Sequence, residues 1–265
     1  MLLKALFVTL IQKRMKRISI LVPENAILAS LEGTRQLLTQ VNAFYKDKGM
    51  QPLFDVQLVG LTRTVKASGG LFTVNTTKVI EEVKKTDLII IPAIDGDTQL
   101  ALELNKAFIP WMIKQHKKGA EVASLCLGAF LLASTGLLKG KKCATHWLAE
   151  NAFRQMFPDV ELVTEKIITD DSGFYSSGGA FSYLNLILYL IEKYAGREMA
   201  LLSAKVFAIE IDRETQLPFT IFQGQKDHED KEIKQAQEFI EKNYKEKTKI
   251  KKKLNFFFFN FRKFF

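Results

Sequence analysis

Cys126 sits where one apolar run, Glu121-Val122-Ala123-Ser124-Leu125, gives way to another that begins Gly128-Ala129-Phe130. A short strand turning sharply into a helix holds a side chain at the end of a sheet. The helix N-terminus behind it brings unpaired N–H groups and a positive dipole end. Such surroundings stabilise a thiolate or a bound anion; the same cysteine in a core is a small apolar filler. Both readings fit the residues. Three more positions could serve a site of this kind. His146, just before Trp147, is either a base reaching in from a later strand or a structural hydrogen-bonding histidine. Gly96, in Pro92-Ala93-Ile94-Asp95-Gly96-Asp97, could offer a backbone N–H to an oxyanion, with the N–H of Leu127 as a second donor. Equally, Gly96 could be a turn glycine before an N-cap at Asp97. Cys143 reads as core, and His116 and His228, in charged segments, read as solvated. No metal-ligand spacing and no phosphate-binding glycine loop appears, so neither a metal nor a cofactor is implied.

Alternating strand and helix patterns must carry these residues. Ile18–Val22, Phe54–Leu61, Asp87–Pro92 and Glu121–Leu125 read as strands, and Cys143–His146 and Val160–Lys166 as later ones. Leu31–Lys48, Thr98–Lys118, Gly128–Leu138 and Ala180–Glu192 have helical spacing, and Val65–Val74, around Gly69-Gly70, reads as a small hairpin. Val/Ile/Leu-rich strands alternating with helices predict an α/β fold, a mostly parallel sheet covered on both faces. Ligands of such sheets lie outside the strand C-termini. The Pro92–Gly96 turn, the Cys126 turn and the His146 region all follow strands and could meet there.

The formal charge of +9 suggests nucleic acid until its placement is read. Residues 1–17 carry five Lys/Arg and residues 247–265 carry seven, with no acid in either segment; the other 26 bases face all 29 acids, which leaves residues 18–246 at −3. The body of the chain therefore has no electrostatic footprint for DNA. Two cysteines make no disulfide framework and suit a reducing cytoplasm. No stretch reaches the roughly 18–20 apolar residues that span a bilayer, so no membrane partner is expected. Residues 1–14 lack a small-residue cleavage site after their short apolar run. They read as an extension before a start at Met15.

Beyond about Glu210 the character changes. Residues 211–230 are polar and include Pro218 and Gly224, as a linker should. Lys231–Tyr244 is amphipathic, with Ile233, Ala236, Phe239 and Ile240 on one stripe. Residues 247–265 are almost entirely Lys, Asn and Phe, with seven of the chain's 21 phenylalanines. This tail has no helical or strand period and reads as translation out of frame, with a basic-aromatic anchor as the alternative.

The block from Ser124-Leu125-Cys126-Leu127-Gly128 through Cys143-Ala144-Thr145-His146-Trp147 resembles the signature of the ThiJ/PfpI superfamily, which has the class I glutamine amidotransferase-like fold. Its Ala-Thr-His-Trp ending is similar to the N-terminal domain of AraC-type transcriptional regulators. Ser177-Gly178-Gly179-Ala180, Tyr194-Ala195-Gly196-Arg197-Glu198 and the arm Asp212–Phe219 extend the likeness. Ile233–Tyr244 resembles the opening helix of that family's DNA-binding domain. The resemblance implies a flavodoxin-like three-layer α/β sandwich over 15–210, a linker over 211–230 and a helical remnant over 231–246, the first helix of a truncated helix-turn-helix. It also implies a homodimer, a small-molecule effector, and DNA as partner of a full-length form. Enzymes of the superfamily place a histidine after the cysteine, where Leu127 stands. They also carry an acid near the end of the first strand, where Pro23–Leu28 has apolar residues and Glu24 is the nearest carboxylate.

Two functions follow. One is a transcriptional regulator whose inert amidotransferase-like domain senses an effector around Gly96, Cys126, Leu127 and His146. The other is a cysteine-dependent hydrolase or hydratase, with Cys126 as nucleophile and His146 as base.

Overall fold

Ile18, Ile20 and Val22 face one side of strand β1 (Lys16–Val22) while Leu21 faces the other, and both sides are buried. That period-two alternation within an unbroken apolar run is what a doubly covered strand requires. The computed structural model describes residues 14–211, 215, 216 and 235. The chain divides into a unit of Met1–Phe219 and one of Thr220–Phe265. The expected helix over 231–246 and the tail over 247–265 lie outside the described residues except for Gln235, which is helical and exposed; His228 lies outside them too.

After β1 come α1 (Leu28–Asp47), β2 (Phe54–Gly60), the hairpin β3 (Thr64–Ala67) and β4 (Phe72–Asn75), and β5 (Lys78–Val79). Next are β6 (Leu88–Ile91), α2 (Thr98–Asn105), α3 (Phe108–Lys117), β7 (Glu121–Leu125) and α4 (Gly128–Ala133). β8 (Lys142–Cys143), α5 (Glu150–Met156), β9 (Glu161–Leu162), β10 (Ile168–Asp171), β11 (Phe174–Ser177), α6 (Tyr183–Ala195) and α7 (Arg197–Val206) complete the series. The main sheet runs β10-β11-β7-β6-β1-β2-β5, parallel throughout except for β10 against β11. One core packs α1, α6, α7 and the β3–β4 hairpin on one face; the other packs α2 to α5 on the opposite face. This is the expected flavodoxin-like three-layer sandwich. β1 lies between β2 and β6, so the chain turns one way from β1 and later returns to the other side. The crevice beyond the C-terminal ends of β1 and β6 is thus the topological switch point.

Four local expectations are corrected. The single helix over Thr98–Lys118 is two. Buried Asn105 accepts the Glu24 N–H at 2.8 Å and donates to the carbonyls of Ala101 at 2.8 Å and Glu24 at 3.2 Å, tying the helix end to the loop after β1. Pro110 falls in the first turn of α3, where its missing N–H has no partner to lose. The helix from Gly128 stops at Ala133 rather than Leu138. Ser134 and Thr135 hydroxyls take the carbonyls of Leu131 and Leu132 at 2.8 and 2.6 Å, and Gly136 then turns at φ +72°. Cys143–His146 and Val160–Lys166 contribute only the two-residue strands β8 and β9, which pair with each other outside the main sheet. The sheet's own edge is the β10–β11 hairpin, turned at Ser172 and Gly173 with φ of 54° and 84°. Two adjacent residues at positive φ are what a tight hairpin with native twist demands.

Candidate functional site

Cys126 follows the last residue of β7 and adopts φ +52°, the strained left-handed conformation of a strand-to-helix elbow. Its N–H donates to the Ser177 carbonyl at 2.9 Å, and its carbonyl accepts from Thr145 Oγ1 at 3.0 Å. Gly128 lets α4 start immediately behind. A Cβ there would stand 2.5 Å from the Pro92 carbonyl oxygen and 2.8 Å from that of Ile91. The elbow is thus pressed against the end of β6, which only a glycine permits.

The thiol itself is buried, with Cys126 4 % exposed. Burial pushes its pKa up to about 11, opposed only by a hydrogen bond from the Leu127 backbone N–H. No side chain among the described residues is bonded to it. At neutral pH it is a thiol, which is neither a nucleophile nor a ligand for metal. Cys143 is buried in β8, as expected of a core residue, and burial raises its thiol to about 12. Among the described residues no cluster of His, Cys, Asp and Glu could hold a metal ion.

Of the four residues expected to share a site, two come together. Gly96 and Leu127 line one crevice with Ile94, Phe130 and Leu131, of about 20 Å³, room for roughly one water. Cys126 and His146 are not part of its lining. The oxyanion role of Gly96 is not supported. Its N–H donates to its neighbour's Asp95 Oδ1 at 2.8 Å, its φ is +91°, and Asp97 caps α2 by accepting from the Leu100 N–H at 2.8 Å. His146 caps the 3-10 turn Trp147–Ala149, its Nδ1 accepting the Leu148 N–H at 3.2 Å, and partial burial lowers its pKa. With Nδ1 occupied as the cap's acceptor, the ring's proton sits on Nε2 and no lone pair is left for a base, which suits the structural role. His116, expected in solvent, is instead half-buried, bonded through Nδ1 to the Ala120 carbonyl at 2.9 Å and packed on Phe174 at 4.8 Å.

The room at this edge of the sheet lies beyond β1 and β2, in a cavity of about 460 Å³. Glu24, Asn25, Thr62, Lys66 and the buried Asn105 supply its polar lining, and Val22, Leu61, Val65 and Leu104 its apolar wall. The side chains of Glu24, Asn25 and Lys66 have no hydrogen-bond or ion-pair partner among the described residues. Glu24, the carboxylate nearest the end of the first strand, opens onto this cavity.

The DJ-1/PfpI family model matches residues 38–193. The chain belongs to the DJ-1/PfpI family. Among curated relatives, the HTH-type transcriptional regulator CdhR of Pseudomonas aeruginosa is 30% identical over 145 residues, 55% of this chain and 42% of CdhR. The isonitrile hydratase of Pseudomonas putida is 26% identical over 137 residues, 51% of this chain and 57% of the hydratase. A solved transcriptional-regulator candidate from Vibrio parahaemolyticus superposes with a TM-score of 0.64 at 26% identity, covering 73% of this chain and 99% of that one. The chain thus spans less than half the length of the curated regulator it matches. Its DJ-1/PfpI region is similar to part of that Pseudomonas aeruginosa HTH-type regulator. Among the described residues no helix is long and apolar enough to cross a membrane.

Two residues beside the elbow escaped the sequence reading. Thr145 holds the Cys126 carbonyl, and Gln216, from the arm after α7, donates to the Thr145 carbonyl at 3.1 Å. Thr145 lies inside the Ala-Thr-His-Trp motif, where the histidine is the more conspicuous chemical group. For Gln216 the only signal was the arm's family likeness.

Proposed function

We propose that this chain is the effector-sensing part of an AraC-type transcriptional regulator, a cytoplasmic homodimer in its full-length form. In this reading residues 15–210 are a DJ-1/PfpI domain without catalysis, 211–230 a linker and 231–246 the first helix of a helix-turn-helix domain. Residues 1–14 and 247–265 belong to neither. The observation that carries the reading is a preserved elbow around a disarmed residue. Cys126 has a strained backbone and a glycine behind it, yet the thiol is buried, neutral and bonded to no base or acid among the described residues. A family scaffold kept in shape while its nucleophile is silenced suits recognition rather than turnover. The HTH-type name of CdhR, and the likeness to it, point the same way.

The effector fits the cavity beyond β1 and β2, where Glu24, Asn25 and Lys66 are free to bind a small polar molecule. Gly96, Leu127, Cys126 and His146, first expected to hold it, do not line that cavity. The rival reading, a cysteine hydratase like the isonitrile enzyme, needs a thiolate that these surroundings oppose.

The test is to sequence the coding DNA from codon 240 to several hundred bases past the stop. A one-base change in an A- or T-run that restores a Lys/Arg-rich helix-turn-helix supports the regulator. An intact frame with no such module downstream defeats its DNA-binding half.

A further inference from the structure

Gln216 is 2 % exposed, although it belongs to the arm that follows the last described helix. Its carboxamide nitrogen faces three backbone carbonyls, those of Thr145 at 3.1 Å, Lys166 at 3.4 Å and Thr164. The arm's backbone is fastened beside it. The Gln216 N–H donates to the Glu165 carbonyl at 3.0 Å, Thr215 Oγ1 donates to the same oxygen at 2.8 Å, and Thr215 bridges antiparallel to Lys166. Gly178 forms the opposite wall. A Cβ at that position would lie 2.2 Å from Gln216 Nε2 and 2.8 Å from the Thr145 carbonyl oxygen. Three converging carbonyl oxygens accept an –NH2 group and repel a carboxylate, so the socket is built for a donor.

Both walls of this socket are bonded to the elbow. Thr145 reaches the Cys126 carbonyl through its hydroxyl at 3.0 Å, and Ser177, next to Gly178, accepts the Cys126 N–H at 2.9 Å. Any shift of the elbow backbone moves the two surfaces between which the carboxamide is held. The seat is also a compromise, because Gln216 Oε1 is buried without a partner among the described residues. Buried polar atoms left unpaired raise the energy of the state that holds them. The arm continues directly to the second unit, which begins at Thr220.

We propose that the socket of Thr145, Thr164, Lys166 and Gly178 is an internal binding site for the primary carboxamide of Gln216, and that displacement of the Cys126 elbow unseats this plug and frees the arm. The use of that release as a signal rests on the regulator reading; the coupling stands on the socket alone. Coupling between two sites is reciprocal, so unseating the plug must also loosen the elbow.

The experiment compares the intact protein with Gln216→Glu, Gln216→Ala, Thr145→Val and Thr145→Ser. Hydrogen exchange is followed by mass spectrometry on the peptide spanning 208–222, and iodoacetamide labelling is quantified at Cys126. Both Gln216 variants should exchange the arm amides at least about tenfold faster, as local opening requires, and label Cys126 several-fold faster. Thr145→Val keeps the accepting carbonyl but loses the hydroxyl on Cys126; it should loosen the arm by a smaller factor, while Thr145→Ser behaves as wild type. Wild-type exchange in both Gln216 variants would overturn the plug. A freed arm with unchanged Cys126 labelling, together with an unmoved arm in Thr145→Val, would overturn the coupling. No DNA or effector enters these measurements, so failure of the regulator reading leaves their outcome untouched.

Discussion

Strand β7 carries an ionisable side chain at each end of the sheet, and the two ends treat charge in opposite ways. At its start, Glu121 accepts hydrogen bonds from Tyr175 at 2.5 Å, Tyr194 at 2.7 Å and Lys16 at 2.9 Å, with Lys193 at 3.5 Å. Burial alone would raise its pKa, but the two phenols and Lys16 outweigh burial and hold the carboxyl at about 2. Past the other end, burial raises the Cys126 thiol to about 11 against one backbone N–H. Glu121 is part-buried and Cys126 more deeply buried, yet burial opposes the charged form at both, so burial does not set the opposite directions of the two shifts. The number of donors aimed at the charged form does. The Cys126 thiol is left with one backbone N–H, that of Leu127, to stabilise its anion, where Glu121 has three side-chain donors.

The comparison can be broken at either end. Gly128→Val should have the largest effect, because the new side chain would meet the Pro92 and Ile91 carbonyls inside van der Waals distance. A loss of about 3 kcal/mol or more is expected in urea unfolding; an unchanged midpoint would mean that the elbow is not held against β6. Next comes the thiol. With a pKa near 11, iodoacetamide labelling of Cys126 at pH 7 should be roughly 100-fold slower than that of an ordinary exposed thiol. The rate should go on rising beyond pH 9, and a plateau near pH 7 would restore the enzyme reading.

At the other end of the strand, Glu121→Gln removes the charge from its donors and should cost about 2 kcal/mol, as hydrogen bonds to charged groups do. The folded carboxyl titrates below its unfolded value of 4.5, so its contribution is complete above about pH 4.5 and is lost as pH falls through about 2. Wild-type stability should accordingly rise with pH across that window, and the Gln variant should lose that part of the slope. Equal slopes in the two proteins would remove the network from the account. His146→Ala should have the smallest effect, about 1 kcal/mol or less for a lost cap, with Cys126 labelling unchanged. A changed labelling rate would make the histidine part of the elbow's chemistry after all.

The elbow end of β7 was legible because its determinants are local. An apolar strand, Cys126, then Gly128 and an apolar helix occupy adjacent positions, and the glycine has a steric reason to be there. The Glu121 end was not legible, since Lys16, Tyr175, Lys193 and Tyr194 come from three separate elements and share no spacing. The hairpin β10–β11 was missed because Thr169, Asp170 and Ser176 interrupt its apolar pattern; Ser172-Gly173 was the available signal. Conversely, Cys143–His146 looked like a strand, but Ser176 Oγ takes the Ala144 N–H at 2.6 Å and His146 caps the following turn. The layered fold emerged from periodicity. The arm's seat did not, because a single glutamine bonded across 71 residues leaves no pattern along the chain.

That same separation fixes an order of events during synthesis. Thr145, Thr164, Lys166 and Gly178 all leave the ribosome before Gln216, and they converge only once β11 has joined β7. The arm can close only on a domain whose last sheet strand is already in place. A nascent chain stalled before that pairing offers it no seat, so arm closure marks the end of the domain's folding rather than a step within it.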